Sequence, residues 1–184
     1  MEDENKQIEN LKKFIGYLRE EDELKNIKVV LDIEGSLERY GIDVKWSAME
    51  GFANPSEVRG YITPGESKKG REGIPTIVIN GNDSKEEVRY TLAYLLGVLT
   101  IHFKYEKGSL ISKEDVYVKK SGDKNKLYHL FSVLFLVDDY YLNKLKELYK
   151  DEEYGDMVKI ISGTFKVKDE HIRELLELEN KWGV

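Results

Sequence analysis

A predicted apolar helix at about 85–104 is the strongest constraint on how this chain can fold. Ser84 and Glu87, three residues apart, form a capping box at its start, because each side chain can accept a hydrogen bond from the other residue's backbone N–H. The residues that follow are mostly apolar as far as Phe103. No apolar run in the chain approaches the roughly 20 residues that span a bilayer, so no membrane segment is expected.

Two amphipathic helices are predicted before residue 41. The first lies near 5–20, where apolar residues recur at helical spacing. Asp22 can cap the second, which is expected to end near Tyr40 and Gly41. The apolar residues inside this second helix are Leu24, Ile27, Val30, Leu31, Ile33 and Leu37.

Short strands are predicted between the N-terminal helices and the apolar helix. Three segments are rich in β-branched or aromatic residues and are bounded by Gly, Pro or Asn. They are Ile42–Trp46, Val58–Thr63 and Thr76–Ile79. Pro64–Gly73 contains three glycines and alternating charges, which predicts a mobile loop. A hairpin strand is also predicted at Val116–Val118.

Helices are predicted for most of the remaining chain, at about 124–137, from a cap at Asp138 or Asp139 to Lys150, at 154–163 and at 168–181. Helices, a small sheet and further helices predict an α+β fold. We expect a three-stranded sheet, mixed or antiparallel, with helical additions at both ends. The predicted division is an N-terminal helical segment at 1–40, a core at 41–150 and a helical pair at 151–184 that packs on the core.

Composition excludes several classes of function. Hydrophobic residues make up 40% and charged residues 35% of the 184 residues, which is typical of a soluble domain with a sizeable core. The formal net charge of −6 disfavours non-specific binding to phosphate backbones. Without cysteine the chain has no disulfide, thiolate zinc site or cysteine nucleophile. Its charged first residues do not form a signal peptide, so a cytoplasmic location is expected.

The apolar helix has the outline of a zinc-peptidase helix without its reactive side chains. Such a helix carries His-Glu-x-x-His, in which both imidazoles bind zinc and the carboxylate is the general base. Thr91–Ala93 and Leu96–Gly97 fit the outline, but Tyr94, Leu95 and Val98 occupy the three reactive positions. Leu95 and Val98 cannot bind a metal or transfer a proton. We expect all three side chains to fill the space that zinc and its ligands would occupy.

These residues, in this order of elements, resemble the ImmA/IrrE family of metallopeptidase-like proteins from bacteria and their mobile elements. The likeness runs from about Gly41 to Leu178. The similar segments are Gly41–Val44, Val58–Thr63, Thr76–Asn80, Arg89–Ala93, Phe131–Val137 and Met157–Leu178. His102 matches a frequent histidine of the family that does not bind the metal. The resemblance implies a zincin-like helical core.

Further departures from the family fall on its third zinc ligand. That ligand is an acid just before an Ala-Asn pair, which corresponds here to Tyr128 and His129. The nearest matching positions are Asn125 and Leu127, and neither is acidic. Asp138 stands where the family usually has proline. Because four functional positions are lost together, the resemblance implies a protein without catalytic activity, metal or cofactor.

The resemblance also implies the kind of function. Family members act with transcriptional repressors on phages, integrative elements or stress regulons. A member without zinc is expected to bind another protein, namely a repressor, a host factor or a defence protein, and to change its state without proteolysis. The sequence leaves homo-oligomerisation open.

Two alternatives from other classes stay open. One is a metal-dependent hydrolase with a relocated site at His102 and His129, joined by Asp123, Asp138 or Asp139. The other is a DNA-binding regulator that uses the two C-terminal helices and a basic loop at 119–126. Direct contact with nucleic acid is not expected, since the second of these helices is rich in glutamate. Its glutamates are Glu170, Glu174, Glu177 and Glu179.

Overall fold

The computed structural model describes residues 2–21, 29–65, 72–112, 116–120 and 125–182. Within these residues the fold is α+β, as predicted. Its α-helices are α1 (Glu2–Glu21), α2 (Ile33–Arg39), α3 (Lys85–Gly97), α4 (Lys126–Leu136), α5 (Asp139–Leu148), α6 (Tyr154–Phe165) and α7 (Asp169–Trp182). Its strands are β1 (Asp43–Ser47), β2 (Val58–Pro64), β3 (Glu72–Gly73), β4 (Pro75–Asn80), β5 (Ile111–Ser112) and β6 (Val116–Lys119).

The chain forms two compact units. One contains Met1–Leu31 and Val133–Val184, and the other contains Asp32–Ser132, so the boundary falls within α4. The division into three segments at 1–40, 41–150 and 151–184 stays a prediction.

The main sheet belongs to the unit Asp32–Ser132 and has four strands in the order β1-β4-β2-β6. β1 runs parallel to β4, whereas β2 is antiparallel to both β4 and β6, so the sheet is mixed. The prediction of three strands is therefore wrong. β6 was expected as part of a hairpin, but it pairs with β2, which lies more than fifty residues earlier in the chain. Such a long-range pairing leaves no local signal in the sequence.

A second, two-stranded sheet joins β3 to β5, with Gly73 opposite Ile111. β3 lies at the end of the segment that was predicted to be a loop, and Pro64 at its start belongs to β2. The described ends of this segment thus belong to paired strands. Strand pairing uses backbone N–H and C=O groups, so a segment rich in glycine and charged residues can also pair. Residues 66–71 lie outside the described part of the chain.

α3 packs against the main sheet as its central helix. The Ser84 hydroxyl accepts a hydrogen bond from the Glu87 N–H at 3.3 Å, which confirms the predicted start of the helix. Gly60 of β2 allows α3 to approach closely. A Cβ at Gly60 would lie 3.2 Å from Thr91 Cγ2 and 2.8 Å from the Val78 carbonyl oxygen.

The predicted α-helix to residue 104 is too long. α3 ends at Gly97 and the chain continues as a π-helical turn over Val98–His102. The Phe103 N–H donates to the carbonyl of Val98, five residues earlier, at 3.3 Å. The Thr100 hydroxyl donates to the carbonyl of Leu96 at 2.9 Å, next to the wider turn.

The predicted second helix begins later than expected. Asp32 is its N-cap, and the Asp32 carboxylate accepts from Gly35 N–H at 3.2 Å. Residues 29–32 are not helical, so the predicted start is wrong for them. Asp22, Leu24 and Ile27 lie outside the described residues.

The unit Met1–Leu31 with Val133–Val184 is helical in its described part. Arg19 of α1 reaches the end of α4, where its guanidinium donates to the Phe135 carbonyl at 2.7 Å and to Asp138 at 2.5 Å. Asp138 also caps α5, because its carboxylate accepts from the N–H groups of Tyr140 and Tyr141. The predicted cap at Asp138 is thereby confirmed.

Within the described residues, no helix combines the length and the apolar character that crossing a bilayer requires.

Candidate functional site

The three positions predicted to correspond to the zinc-peptidase motif lie in the interior of the unit Asp32–Ser132. Tyr94 is 8% exposed, Leu95 is 0% exposed and Val98 is 2% exposed. Tyr94 and Leu95 belong to the last turns of α3, and Val98 is the first residue of the π-helical turn. The helix therefore presents these three side chains to the packed core rather than to solvent.

Tyr94 links α3 to the start of α4. The Asn125 N–H donates to the Tyr94 hydroxyl oxygen at 3.1 Å. The Tyr94 ring also packs edge-on against the ring of Tyr128, with 5.7 Å between the centroids. Burial raises the pKa of the Tyr94 phenol, and the hydrogen bond from Asn125 opposes this effect only in part. Tyr94 is thus a neutral, hydrogen-bonded packing residue at ordinary pH.

Asn125 and Leu127, the nearest matches to the third zinc ligand, have other roles. The Asn125 side-chain oxygen accepts from the N–H groups of Leu127 and Tyr128 at 3.0 and 3.4 Å. Asn125 therefore caps α4, which is a frequent role of Asn before a helix. The Leu127 side chain is exposed. The structure brings Tyr94 and Asn125 together, and it directs Leu127 to solvent.

A tyrosine–histidine pair that sequence reasoning missed lies beside these residues. The Tyr90 hydroxyl is 2.7 Å from His129 Nδ1, and the two rings are 5.7 Å apart. Tyr90 is 1% exposed and lies one helical turn before Tyr94 on the same side of α3. The signal that could have revealed the pair is this spacing of two tyrosines, together with Tyr128 and His129 at the start of the next apolar helix.

α3 and α4 are in direct contact at the end of this region. A Cβ at Gly97 would lie only 2.8 Å from Cδ1 of the Phe131 ring. Phe131 is fully buried, as are Leu92 and Leu99 on the α3 side. Glycine at position 97 thus lets an aromatic ring rest against the α3 backbone immediately before Val98.

The donor groups at the motif positions do not fit zinc. Zinc in proteins takes thiolate, imidazole or carboxylate ligands. Leu95 and Val98 have no ligand atom, and the Tyr94 oxygen accepts the Asn125 N–H. We therefore assign no metal chemistry to these positions.

The described residues of the alternative metal site form no ligand set around His102. His102 is exposed in the π-helical turn, where its ring packs edge-on against Phe103 at 5.0 Å. Among the described residues, His102 belongs to no group of three or more potential ligand side chains. Asp138 pairs with Arg19 and Asp139 pairs with Lys12 at 3.1 Å. Asp123 lies outside the described residues.

The C-terminal helices present carboxylates rather than a basic surface. Glu170, Glu174 and Glu177 of α7 are exposed, and Glu179 pairs with Lys146 of α5 at 2.9 Å. Residues 121–124 of the predicted basic loop lie outside the described part. An acidic exposed face would repel a DNA backbone.

The sequence matches none of the protein families and none of the curated proteins with which it was compared.

Proposed function

We propose that this chain is a non-catalytic relative of the ImmA/IrrE metallopeptidases that acts by binding another protein. The observation that supports this proposal is the burial of Tyr94, Leu95 and Val98 at the positions of the two histidines and the glutamate. In this proposal the helix and sheet are a zincin-like core whose reactive residues have been replaced.

The chemistry of the replacements favours a change from catalysis to packing. A hydrolytic site needs a polar, water-accessible cleft in which a metal polarises the substrate. Leu95 and Val98 would each contribute about 1.5–3 kcal/mol when fully buried. Inside the protein, the Tyr94 hydroxyl oxygen accepts a hydrogen bond from the Asn125 N–H, and the Tyr94 ring packs against the Tyr128 ring. Replacements of this kind stabilise the contact between α3 and α4 and fill the space that a water-accessible cleft would need.

The proposed partner is a protein of the class on which the family acts, namely a repressor, a host factor or a defence protein in the cytoplasm. A phage or mobile element gains from a protein that changes the state of such a partner by binding. In that case the partner stays intact, and its activity depends on the stoichiometry of the complex rather than on turnover.

The proposal is tested with repressors encoded in the same genome. Each repressor is bound to its operator DNA and titrated with the purified protein. We expect one repressor to release its operator, or to bind it more tightly, at a stoichiometric ratio while its band in a denaturing gel stays full length. Elemental analysis of the same sample is expected to find no stoichiometric transition metal.

Two results would refute the proposal. Cleavage of the repressor that disappears in His102→Ala or His129→Ala, together with bound metal, would indicate a relocated hydrolytic site. Direct binding of duplex DNA by this chain alone, steeply weakened by salt, would instead indicate a DNA-binding regulator.

A further inference from the structure

β1 is an edge strand that exposes a large aromatic residue. It lies at one end of the strand order, and among the described residues its only strand partner is β4. Trp46 is 54% exposed, and the side chains of Asp43 and Lys45 are exposed as well. Natural edge strands are usually protected from pairing with a further strand, because their free backbone groups are ready to bind one.

The free backbone groups of β1 belong to alternate residues. The Ser47 carbonyl accepts from the N–H of Gly81, directly after β4, at 3.0 Å. Successive residues of a strand direct their backbone groups to opposite sides. The N–H and C=O groups of Asp43, Lys45 and Ser47 therefore face β4. Val44 and Trp46 therefore present their N–H and C=O groups at the outer edge of the sheet.

The two charged residues of β1 have no partner within the described chain. Asp43 and Lys45 lie on the same face of the strand, two residues apart, and neither takes part in an ion pair among the described residues. Opposite charges on directly opposed residues of neighbouring strands stabilise the pairing, whereas like charges destabilise it.

We propose that β1 pairs antiparallel with β1 of a second copy of this chain, about a two-fold axis at Val44. In this register the outward-facing backbone groups of Val44 bond those of Val44 in the other copy. Asp43 then lies opposite Lys45 of the other copy, and Lys45 lies opposite its Asp43. The strand is self-complementary in charge and in the backbone groups of Val44, and the two sheets join edge to edge at this residue. At the next pair Trp46 lies opposite Ile42, whose N–H already donates to the Leu37 carbonyl at 2.9 Å, so the backbone pairing is confined to Val44.

Neighbouring registers and the other edge do not give this complementarity. If the two-fold axis moved by one residue, to Lys45 or to Asp43, the outward backbone groups would still lie opposite one another. Lys45 would then lie opposite Lys45 of the other copy, or Asp43 opposite its Asp43, so like charges would meet. The opposite edge of the sheet is β6, which contains Val116–Lys119 and carries no acid to oppose its lysine. A second copy is therefore favoured at β1. The inference does not depend on the proposed function.

The test is sedimentation velocity of the full chain over a range of concentrations. We expect reversible dimers of the natural protein, weakened by salt because the ion pairs are exposed. Asp43→Lys or Lys45→Asp alone should raise the dimer Kd about tenfold or more, since each sets like charges opposite one another twice. The double variant Asp43→Lys/Lys45→Asp should restore dimerisation. Lys159→Asp, on an exposed face of α6, makes the same change of charge as Lys45→Asp and should leave the Kd unchanged.

Cross-linking reports the register. The chain has no cysteine, so Val44→Cys introduces a single thiol. The Cα atoms of directly opposed hydrogen-bonded residues are about 5.5 Å apart, within reach of a disulfide. Val44→Cys should form disulfide dimers on mild oxidation, and Lys119→Cys on β6 should not. A monomer at every concentration, equal Kd values for the single and double charge variants, or cross-linking at position 119 instead of 44 would each overturn the inference.

Discussion

Replacement of Leu95 by glutamate tests whether position 95 is part of a packed core. Leu95 is 0% exposed and lies on the central helix α3. In a peptidase of the resembled family this position holds the glutamate, in a polar cleft. If position 95 is packed core, glutamate there must be strongly destabilising.

The magnitude follows from the burial of the side chain. Loss of the buried leucine costs about 1.5–3 kcal/mol. An uncompensated polar group in its place costs roughly another 1–3 kcal/mol even when the carboxyl is neutral. We therefore expect Leu95→Glu to lower the free energy of unfolding by about 2.5–6 kcal/mol, a large part of the roughly 5–15 kcal/mol of a typical domain.

The destabilisation must also depend on pH. Burial raises the pKa of the new carboxyl in the folded state above its value of about 4.3 in the unfolded chain. Below that unfolded value both states are protonated and stability is highest. As pH rises towards the folded pKa, the variant should lose about 1.4 kcal/mol per pH unit.

Urea unfolding followed by circular dichroism between pH 4 and pH 7 measures both effects. Leu95→Gln is the matched control, because it has nearly the same shape and cannot ionise. Leu95→Met should cost less than about 1.5 kcal/mol. A Leu95→Glu variant as stable as the natural protein, or with the same pH dependence as Leu95→Gln, would show that the position is open and polar.

Substitutions at five further positions have defined outcomes in thermal or urea unfolding. Lys166 ends α6 with a φ of 57°, so Lys166→Gly should raise stability by about 1 kcal/mol. Gly60→Ala should lower stability by about 1–3 kcal/mol because its Cβ meets strand backbone, whereas Gly163→Ala in α6 meets nothing within 4 Å and should raise stability by about 0.5–1 kcal/mol. Burial raises the pKa of Tyr94, so its contribution is present below about pH 10 and is lost as pH rises through the folded value. Tyr94→Phe should therefore reduce the loss of stability in melts between pH 9 and pH 11. Asn125→Ala should cost about 1 kcal/mol through loss of the α4 cap, and Asn125→Asp should retain most of it.

The sequence predicted those elements whose signals are local. The cap at Ser84 and the cap at Asp138 involve residues within three positions of each other, and both are present. Strand segments such as Val58–Pro64 carry their β-branched residues within a few positions. The pairing of β6 with β2 was missed because it depends on residues far apart in the chain. The start of α2 was missed because Asp32 and Asp22 are equally good caps by residue type.

The candidate site was predictable only as a set of positions. Residue types alone show that Leu95 and Val98 cannot act as ligands. They do not show that the Tyr94 hydroxyl accepts the backbone N–H of Asn125, because that contact requires the relative placement of two helices. For the same reason the hydrogen bond between Tyr90 and His129 was not anticipated.

The π-helical turn at Val98–His102 has a consequence for comparisons between this chain and others. In a π-helical turn the hydrogen bond joins residues five apart, whereas in an α-helix it joins residues four apart. The extra residue rotates the side chains that follow it in the helix by about 100° from their α-helical direction. Beyond the turn, the Tyr105 hydroxyl donates to the Tyr40 carbonyl at 3.0 Å. Alignments with a relative that lacks the extra residue should therefore place a one-residue gap here, and a histidine aligned with His102 without that gap would point in a different direction.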